Sequence, residues 1–366
     1  MQEHLKIFFM LSSARDFQKR LFRWYQCHRR DLPWRRPPNG ESDTPLNPYH
    51  VLVSEMMLQQ TQVATVIPYF TRFIARFPTF SDLASADLQE VLKLWQGLGY
   101  YSRAKNLRRA AQMVIEEFGA AMPSDVPSLL KLPGVGRYSA GAIASIAFER
   151  RAPILDGNVA RVLCRLDAIR SDPRERVTQA KLWQRAEEIL PKRKIGDFNS
   201  ALMELGATVC TPRNPHCLTC PVRDHCEAFA ARLQDKIPPP RKRAESPLVK
   251  RWTFCIRRGD KYLLEQRPAT GRWAGMWQFL TREATDAPVT AKTIRSLFSI
   301  SSAKPEHLGN EQHTLTHRRY HFAVFFSETK DGESPALSNP YAWVKLDQLH
   351  RYPLPRPHLK IAERLK

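Results

Sequence analysis

Between residues 234 and 247 the hydrophobic pattern of this chain changes period, and that change limits what it can fold into. From about Phe17 to Leu233 apolar residues recur at spacings of three and four, with proline or glycine between segments. That is the texture of packed helices. Helices are expected over 50–65, 66–76, 87–96, 102–118, 139–148, 159–168, 177–190 and 197–207. The break itself, "QDKIPPPRKRAESP", sets three prolines before Arg241, Lys242 and Arg243, and reads as an extended, solvated, basic linker. Beyond it come short alternating runs, "WTFCIRRGDKYLLEQ", "YHFAVFF" and "YAWVKL". Gly259 and Asp260 at the centre of the first mark a hairpin. A mainly helical unit therefore precedes a smaller α+β unit.

Charge narrows the partner. The 366 residues hold 57 Lys and Arg against 36 Asp and Glu, a net +21, which favours nucleic acid or an anionic membrane surface. No apolar run approaches the roughly 18–20 residues of a membrane span. The early "IFFML" has no basic n-region, and Arg15 and Asp16 follow closely, so a secretion signal is not expected. Of seven cysteines, Cys27, Cys164 and Cys255 are scattered and read as small core residues. Cys210, Cys217, Cys220 and Cys226 share one stretch, "CTPRNPHCLTCPVRDHC". Pro212, Pro215 and Pro221 break regular structure there, so the thiolates can converge from a loop. Zinc and an iron–sulfur cluster both remain open on this spacing. Arg213, Arg223, His216 and His225 on the same loop suit a phosphate, or simply a solvated basic face.

The stretch "LPGVGRYSAG" is a tight turn feeding a helix whose apolar stripe is Ala140, Ile143, Ala144 and Ala147. Ser139 stands where a dinucleotide fingerprint needs its third glycine, and the Lys-Ser/Thr of a P-loop is absent. What remains is one backbone phosphate on Gly134, Val135 and Gly136, or an ordinary helix–helix turn. Glu55 is a lone acid in "VLVSEMMLQQTQV". Burial there would raise its pKa and make it a general acid; the plainer alternative is a carboxylate on a polar seam. Asp156 opens "DGNVARVLCRL" as an N-cap. A cap is also a carboxylate held ionised by amide donors, able to stabilise positive charge on a sugar. One protonated and one ionised acid is the division of labour that cleaves a glycosidic bond. The two stand 101 positions apart, so their meeting is a tertiary matter.

Together, "SEMMLQQTQV", "GLGYY", "LPGVGRYSAG", "LDGNVARV", "MELGATVC" and the four-cysteine loop resemble the helix-hairpin-helix DNA glycosylases, and within them the MutY-type adenine glycosylases. The resemblance implies a mainly α glycosylase region over 14–233. A six-helix domain occupies about 40–150, and a cluster domain joins the N-terminal helix to about 151–233. A linker over 234–247 and an α+β Nudix-like domain over 248–366 would follow. It implies a [4Fe-4S] cluster on the four cysteines and a hairpin, Gly134 to Gly136, gripping DNA. Glu55 would protonate adenine, Asp156 would stabilise the oxocarbenium-like sugar, and Tyr138 and Asn158 would support them. Bifunctional relatives carry a Schiff-base lysine where this chain has Tyr138, so the chemistry should stop at base excision.

Gln60, Thr61 and Tyr100 would contact the duplex, Gln60 and Tyr100 as wedges, and Arg30, Leu32 and Trp34 would wall the adenine pocket. In "HTLTH", Thr316 and His317 would read 8-oxoguanine, with Leu315 replacing a usual phenylalanine. No Nudix box is present, so nucleotide hydrolysis is not expected. The loop from Arg36 to Asn47 is longer than the family's, and Ile154 and Leu155 precede Asp156 where valine is commoner. The implied partner is double-stranded DNA with adenine opposite 8-oxoguanine or guanine. The implied protein is a cytoplasmic, nucleoid-associated monomer with no membrane association. The rivals are a thymine or uracil mismatch glycosylase and a non-catalytic iron–sulfur DNA-binding module.

Overall fold

A computed structural model describes residues 2–35, 46–240, 245–315, 318–330 and 333–366. Thr316 and His317, most of the long 36–47 loop, and the linker's Arg241, Lys242 and Arg243 lie outside the described residues. The chain forms two compact units, one of residues 1–85 and 109–242, the other of residues 86–108 and 243–366.

In chain order the helices are α1 (Gln2–His28), α2 (Pro48–Leu58), α3 (Val63–Arg76), α4 (Phe80–Ser85), α5 (Leu88–Leu94), α6 (Ser102–Phe118), α7 (Val126–Leu129), α8 (Arg137–Phe148), α9 (Gly157–Leu166), α10 (Arg176–Glu188), α11 (Ile195–Thr208) and α12 (Glu227–Ala230). The single helix expected over 50–65 is in fact two. Asn47 caps α2 through Tyr49 N, with Pro48 at the first position. The helix ends at Leu58, and Gln60 turns into the left-handed region at φ +59° before α3 starts. The short α4, α7 and α12 escape periodicity because they span only a turn or so. In the first unit α11 packs on α1, α8 and α9. The buried core joins Phe17, Leu21 and Tyr25 of α1 to Val162 and Leu163 of α9 and Phe198, Leu202 and Leu205 of α11. Two glycines let backbones meet where the site is built. A Cβ on Gly141 of α8 would lie 2.3 Å from Pro153 O, and one on Gly206 of α11 would lie 2.8 Å from the Asn158 Cβ.

The second unit is a six-stranded sheet of β1 (Leu248–Arg258), β2 (Lys261–Gln266), β3 (Trp277–Glu283), β4 (Glu306–Leu315), β5 (Arg318–Glu328) and β6 (Tyr341–Lys345). The order is β4-β5-β1-β3-β2-β6. Among the described residues only β1 and β5 run parallel, paired from Leu248↔Arg319 to Arg257↔Glu328. Gly259 and Asp260 make the expected two-residue hairpin turn, since Arg258 faces Lys261. Helix α13 (Ala291–Phe298) lends Ile294 and Phe298 to one core, with Phe254 and Leu280. Helix α14 (Arg356–Glu363) lends Ile361 and Ala362 to the other, with Cys255, Tyr262 and Phe279. Segment 86–108 is tied on by side chains: Gln89 Nε2 donates to Gly275 O (3.1 Å) and Gln96 Nε2 to Leu354 O (2.8 Å). Of the scattered cysteines, Cys164 and Cys255 are buried, but Cys27 is exposed near the end of α1, correcting its reading as a core residue.

His358 of α14 is fully buried against Phe279 and Phe322, and among the described residues neither ring nitrogen has a hydrogen-bond partner. Burial, with Arg267 and His313 nearby, brings its pKa down to about 3. The folded chain thus resists a proton that the unfolded chain accepts near pH 6.5, so stability is lost as pH falls from there towards 3. His358→Leu removes two unsatisfied polar atoms, which cost about 1–3 kcal/mol. It should raise the thermal midpoint at pH 7 and flatten its decline towards pH 5. An unchanged midpoint and slope would show that the imidazole carries no such cost.

Candidate active site

One cavity of about 900 Å³ in the first unit is lined by Glu55 from α2, Tyr138 from α8, and Asp156, Gly157 and Asn158 at the start of α9. The two acids, remote in the chain, share this space. Glu55 is 6% exposed, and its Oε2 has no hydrogen-bond partner among the described residues. Burial pushes its pKa up to about 7. A hydrogen bond from Tyr138 opposes the rise, the Asp156 charge adds to it, and Arg35 opposes it. Tyr138 Oη also stands 3.1 Å from Met203 Sδ. A carboxylate is the stronger acceptor, so the phenolic proton goes to Glu55 once that acid ionises.

Asp156 caps α9. Its Oδ1 accepts from Val159 N (2.7 Å) and its Oδ2 from Asn158 Nδ2 (3.0 Å). The expectation that these donors govern its titration needs correcting. Burial outweighs them, and Arg161, and lifts the pKa above the ordinary aspartate value. The two acids still differ in kind, one dry and the other a donor-lined cap.

The pocket wall is built by a charge network that sequence reading missed. Leu32 and Trp34 line the cavity and are buried, Trp34 edge-on to Phe70 at 5.2 Å. Arg30 lines it too, but its guanidinium is engaged. Nε and Nη2 hold Glu204 Oε1 and Oε2 at 2.6 and 3.0 Å, and Arg35 Nη1 reaches Oε2 at 2.8 Å. Burial pushes the Glu204 pKa up, but the two arginines outweigh it and the net shift is down. Glu204 sits inside "MELGATVC", yet nothing in that string foretells which cation it meets.

Gln60 and Thr61 line the same cavity. Gly134, at φ +82°, and Gly136 are exposed between α7 and α8 and do not line it, while Val135 is buried. Gln59 Nε2 ties this turn to α2 through Gly134 O and Ser139 Oγ, both at 3.4 Å. Tyr100 belongs to the second unit.

From the acids a chain of contacts runs to the cysteine loop. Arg161 Nη2 donates to Asn158 Oδ1 (3.0 Å) and Gly206 O (2.7 Å), while its Nε donates to Cys210 O (2.7 Å). The buried Arg165 donates from Nη1 to Cys210 Sγ (3.3 Å) and Thr211 O (2.7 Å). Burial pushes the thiols of Cys217, Cys220 and Cys226 up, and the Cys210 charge adds to each. Such thiols become stable ligands only beside a cation. Among the described residues no three His, Cys, Asp or Glu side chains converge as a single metal ion would require.

Residues 53–188 match the HhH-GPD superfamily of base excision DNA repair proteins. Residues 210–226 match the iron-sulfur binding domain of endonuclease III, and 252–364 a NUDIX domain. The adenine DNA glycosylase of Homo sapiens is 38% identical over 91% of this chain and 71% of its own length. That of Buchnera aphidicola subsp. Schizaphis graminum is 33% identical over 96% and 99%. The chain belongs to the adenine DNA glycosylases. Among solved structures it resembles a thermostable thymine-DNA glycosylase, with a TM-score of 0.53, 28% identity, and coverage of 61% of this chain and 99% of that one. As an adenine DNA glycosylase it is a hydrolase of base excision repair with an iron–sulfur cluster and a C-terminal NUDIX domain. Among the described residues no helix is long and apolar enough to cross a membrane.

Proposed function

We propose that this glycosylase removes adenine mispaired with 8-oxoguanine, or with guanine, from double-stranded DNA and stops at the abasic product. What carries the reading is the shared cavity, with a buried acid titrating near neutrality opposite a donor-lined carboxylate. Adenine is rotated out of the stack into the cavity. Glu55 gives its proton to adenine N7, the bond from the sugar to the base breaks, and its electron pair leaves with adenine. Asp156 faces the positive sugar that remains and, as a retaining course implies, can bond to it transiently. The bond between Asp156 and the sugar then breaks, its electron pair returning to the carboxylate, and water adds to the sugar, losing its proton to the Glu55 carboxylate. Tyr138 and Asn158 orient the two acids, and the arginine-held Glu204 keeps Arg30 and the Leu32–Trp34 segment against the base.

Cys210, Cys217, Cys220 and Cys226 would hold the [4Fe-4S] cluster, which when bound supplies a rigid, redox-capable anchor for that loop. The turn Gly134–Gly136 grips a DNA phosphate, and Gln60, Thr61 and Tyr100 meet the duplex. Thr316 and His317 read the oxidised guanine.

The test uses duplexes with adenine, thymine or uracil opposite guanine or 8-oxoguanine, followed by alkali. Breaks at adenine alone, and only after alkali, are expected, because Tyr138 cannot form the Schiff base that cleaves the strand. Breaks before alkali would refute the Tyr138 argument, and breaks at thymine or uracil would move the assignment to the mismatch enzymes.

A further inference from the structure

The turn between α5 and α6 reads Gly97–Leu98–Gly99–Tyr100–Tyr101, and three of its residues are left-handed: Gly97, Gly99 and Tyr100 have φ of +107°, +73° and +48°. For a tyrosine that conformation costs energy and persists only where the surroundings over-determine it. Here they do. Arg103, 5% exposed in the first turn of α6, donates from Nη2 to Leu98 O (3.2 Å) and Gly99 O (3.1 Å). Its guanidinium lies 5.4 Å from the centre of the Trp95 ring and 5.5 Å from that of Tyr100. Trp95 Nε1 donates to Gly99 O (3.2 Å), and Gly97 N donates to Tyr101 Oη (3.3 Å). The Tyr100 ring is 41% exposed.

We infer that Arg103 is a positioning residue, which holds Tyr100 in the left-handed conformation from which its ring enters the base stack beside the extruded adenine. The inference rests on the reading of Tyr100 as a wedge. Two successive carbonyls bound by one planar cation fix the peptides on either side of Gly99, and the same cation faces the tyrosine ring. Burial lowers the Arg103 pKa to about 10, which leaves it charged at neutral pH. Without that fork the turn relaxes, and the ring must be ordered anew on each encounter with DNA.

The experiment is single-turnover excision with enzyme in excess, so that rates do not depend on the folded fraction. Two duplexes are compared. In one the target adenine lies between normal pairs; in the other mismatches on both sides leave it loosely stacked. The proteins are wild type, Tyr100→Ala, Arg103→Met, Arg103→Lys and the double variant Tyr100→Ala/Arg103→Met. Tyr100→Ala and Arg103→Met should each slow the normal duplex at least about tenfold more than the loosened one, with the double variant no worse than Tyr100→Ala alone. Arg103→Lys should fall between, because a compact ammonium does not reproduce the planar fork; it carries the test if Arg103→Met does not fold.

If Tyr100→Ala discriminates between the duplexes while the Arg103 variants do not, or slow both equally, Arg103 is only a structural residue and the inference fails. If Tyr100→Ala does not discriminate, the wedge reading falls and takes the inference with it.

Discussion

Glu55→Gln is expected to bind mismatched duplex as the wild type does and to lose adenine excision, by about 10²–10⁴ in rate if proton donation is its role. The amide fills the same space and cannot give a proton. The pH profile should tell the same story from the other side. With a pKa of about 7, Glu55 is protonated below neutrality, so wild-type excision declines as pH rises through that value. The same shift affects folding. The native protein holds this proton up to about pH 7, while the unfolded chain releases it near 4.5. The stabilisation from binding it is full below 4.5 and is lost as pH rises through 7, a difference of about 3 kcal/mol. At pH 8 the Glu55→Gln protein should therefore melt at a higher temperature than wild type while being inactive. Retained excision would remove Glu55 as the acid, and an equal or lower melting temperature at pH 8 would contradict its burial.

Asp156→Asn should be nearly as damaging, with a loss of about 10²–10³ or more from removing the charge that faces the sugar. Asparagine caps a helix about as well as aspartate, so α9 keeps its start and the fold its stability. The loss would then appear in the single-turnover rate and leave the melting temperature in place. Residual activity carries a second signature. Because the Asp156 charge helps keep Glu55 protonated, neutralising it lets Glu55 ionise at lower pH. The alkaline limb of the profile therefore moves towards acid. In wild type an acid limb is expected too, as Asp156, raised by burial, takes up a proton. The two acids are coupled, so these limbs belong to the pair. An Asp156→Asn enzyme with wild-type rate, or with an unmoved alkaline limb, would show that the carboxylates do not act together.

The chain's own order determined a good deal. The shift in hydrophobic period placed helices before strands, and Gly259–Asp260 made a hairpin because a two-residue turn between alternating runs has few other solutions. The four cysteines identified a ligand loop through density and proline content alone. Asp156 was legible as a cap, since capping is a local bond from a side chain to an amide three residues on. Tertiary structure decided the rest. Periodicity could not see the break at Gln59–Gln62, because those residues are polar and a single left-handed residue leaves no mark on hydrophobic spacing. Nor could it place Cys27 on the surface, or choose Glu204 as the partner of Arg30 and Arg35 across some 170 residues. Above all, residue types gave two acids and their possible roles, while their sharing one cavity came from close approach at Gly141 and Gly206. A carboxylate's pKa depends on what surrounds it in space, and the surroundings of Glu55 are drawn from α2, α8, the start of α9 and Arg35, which only the folded chain assembles.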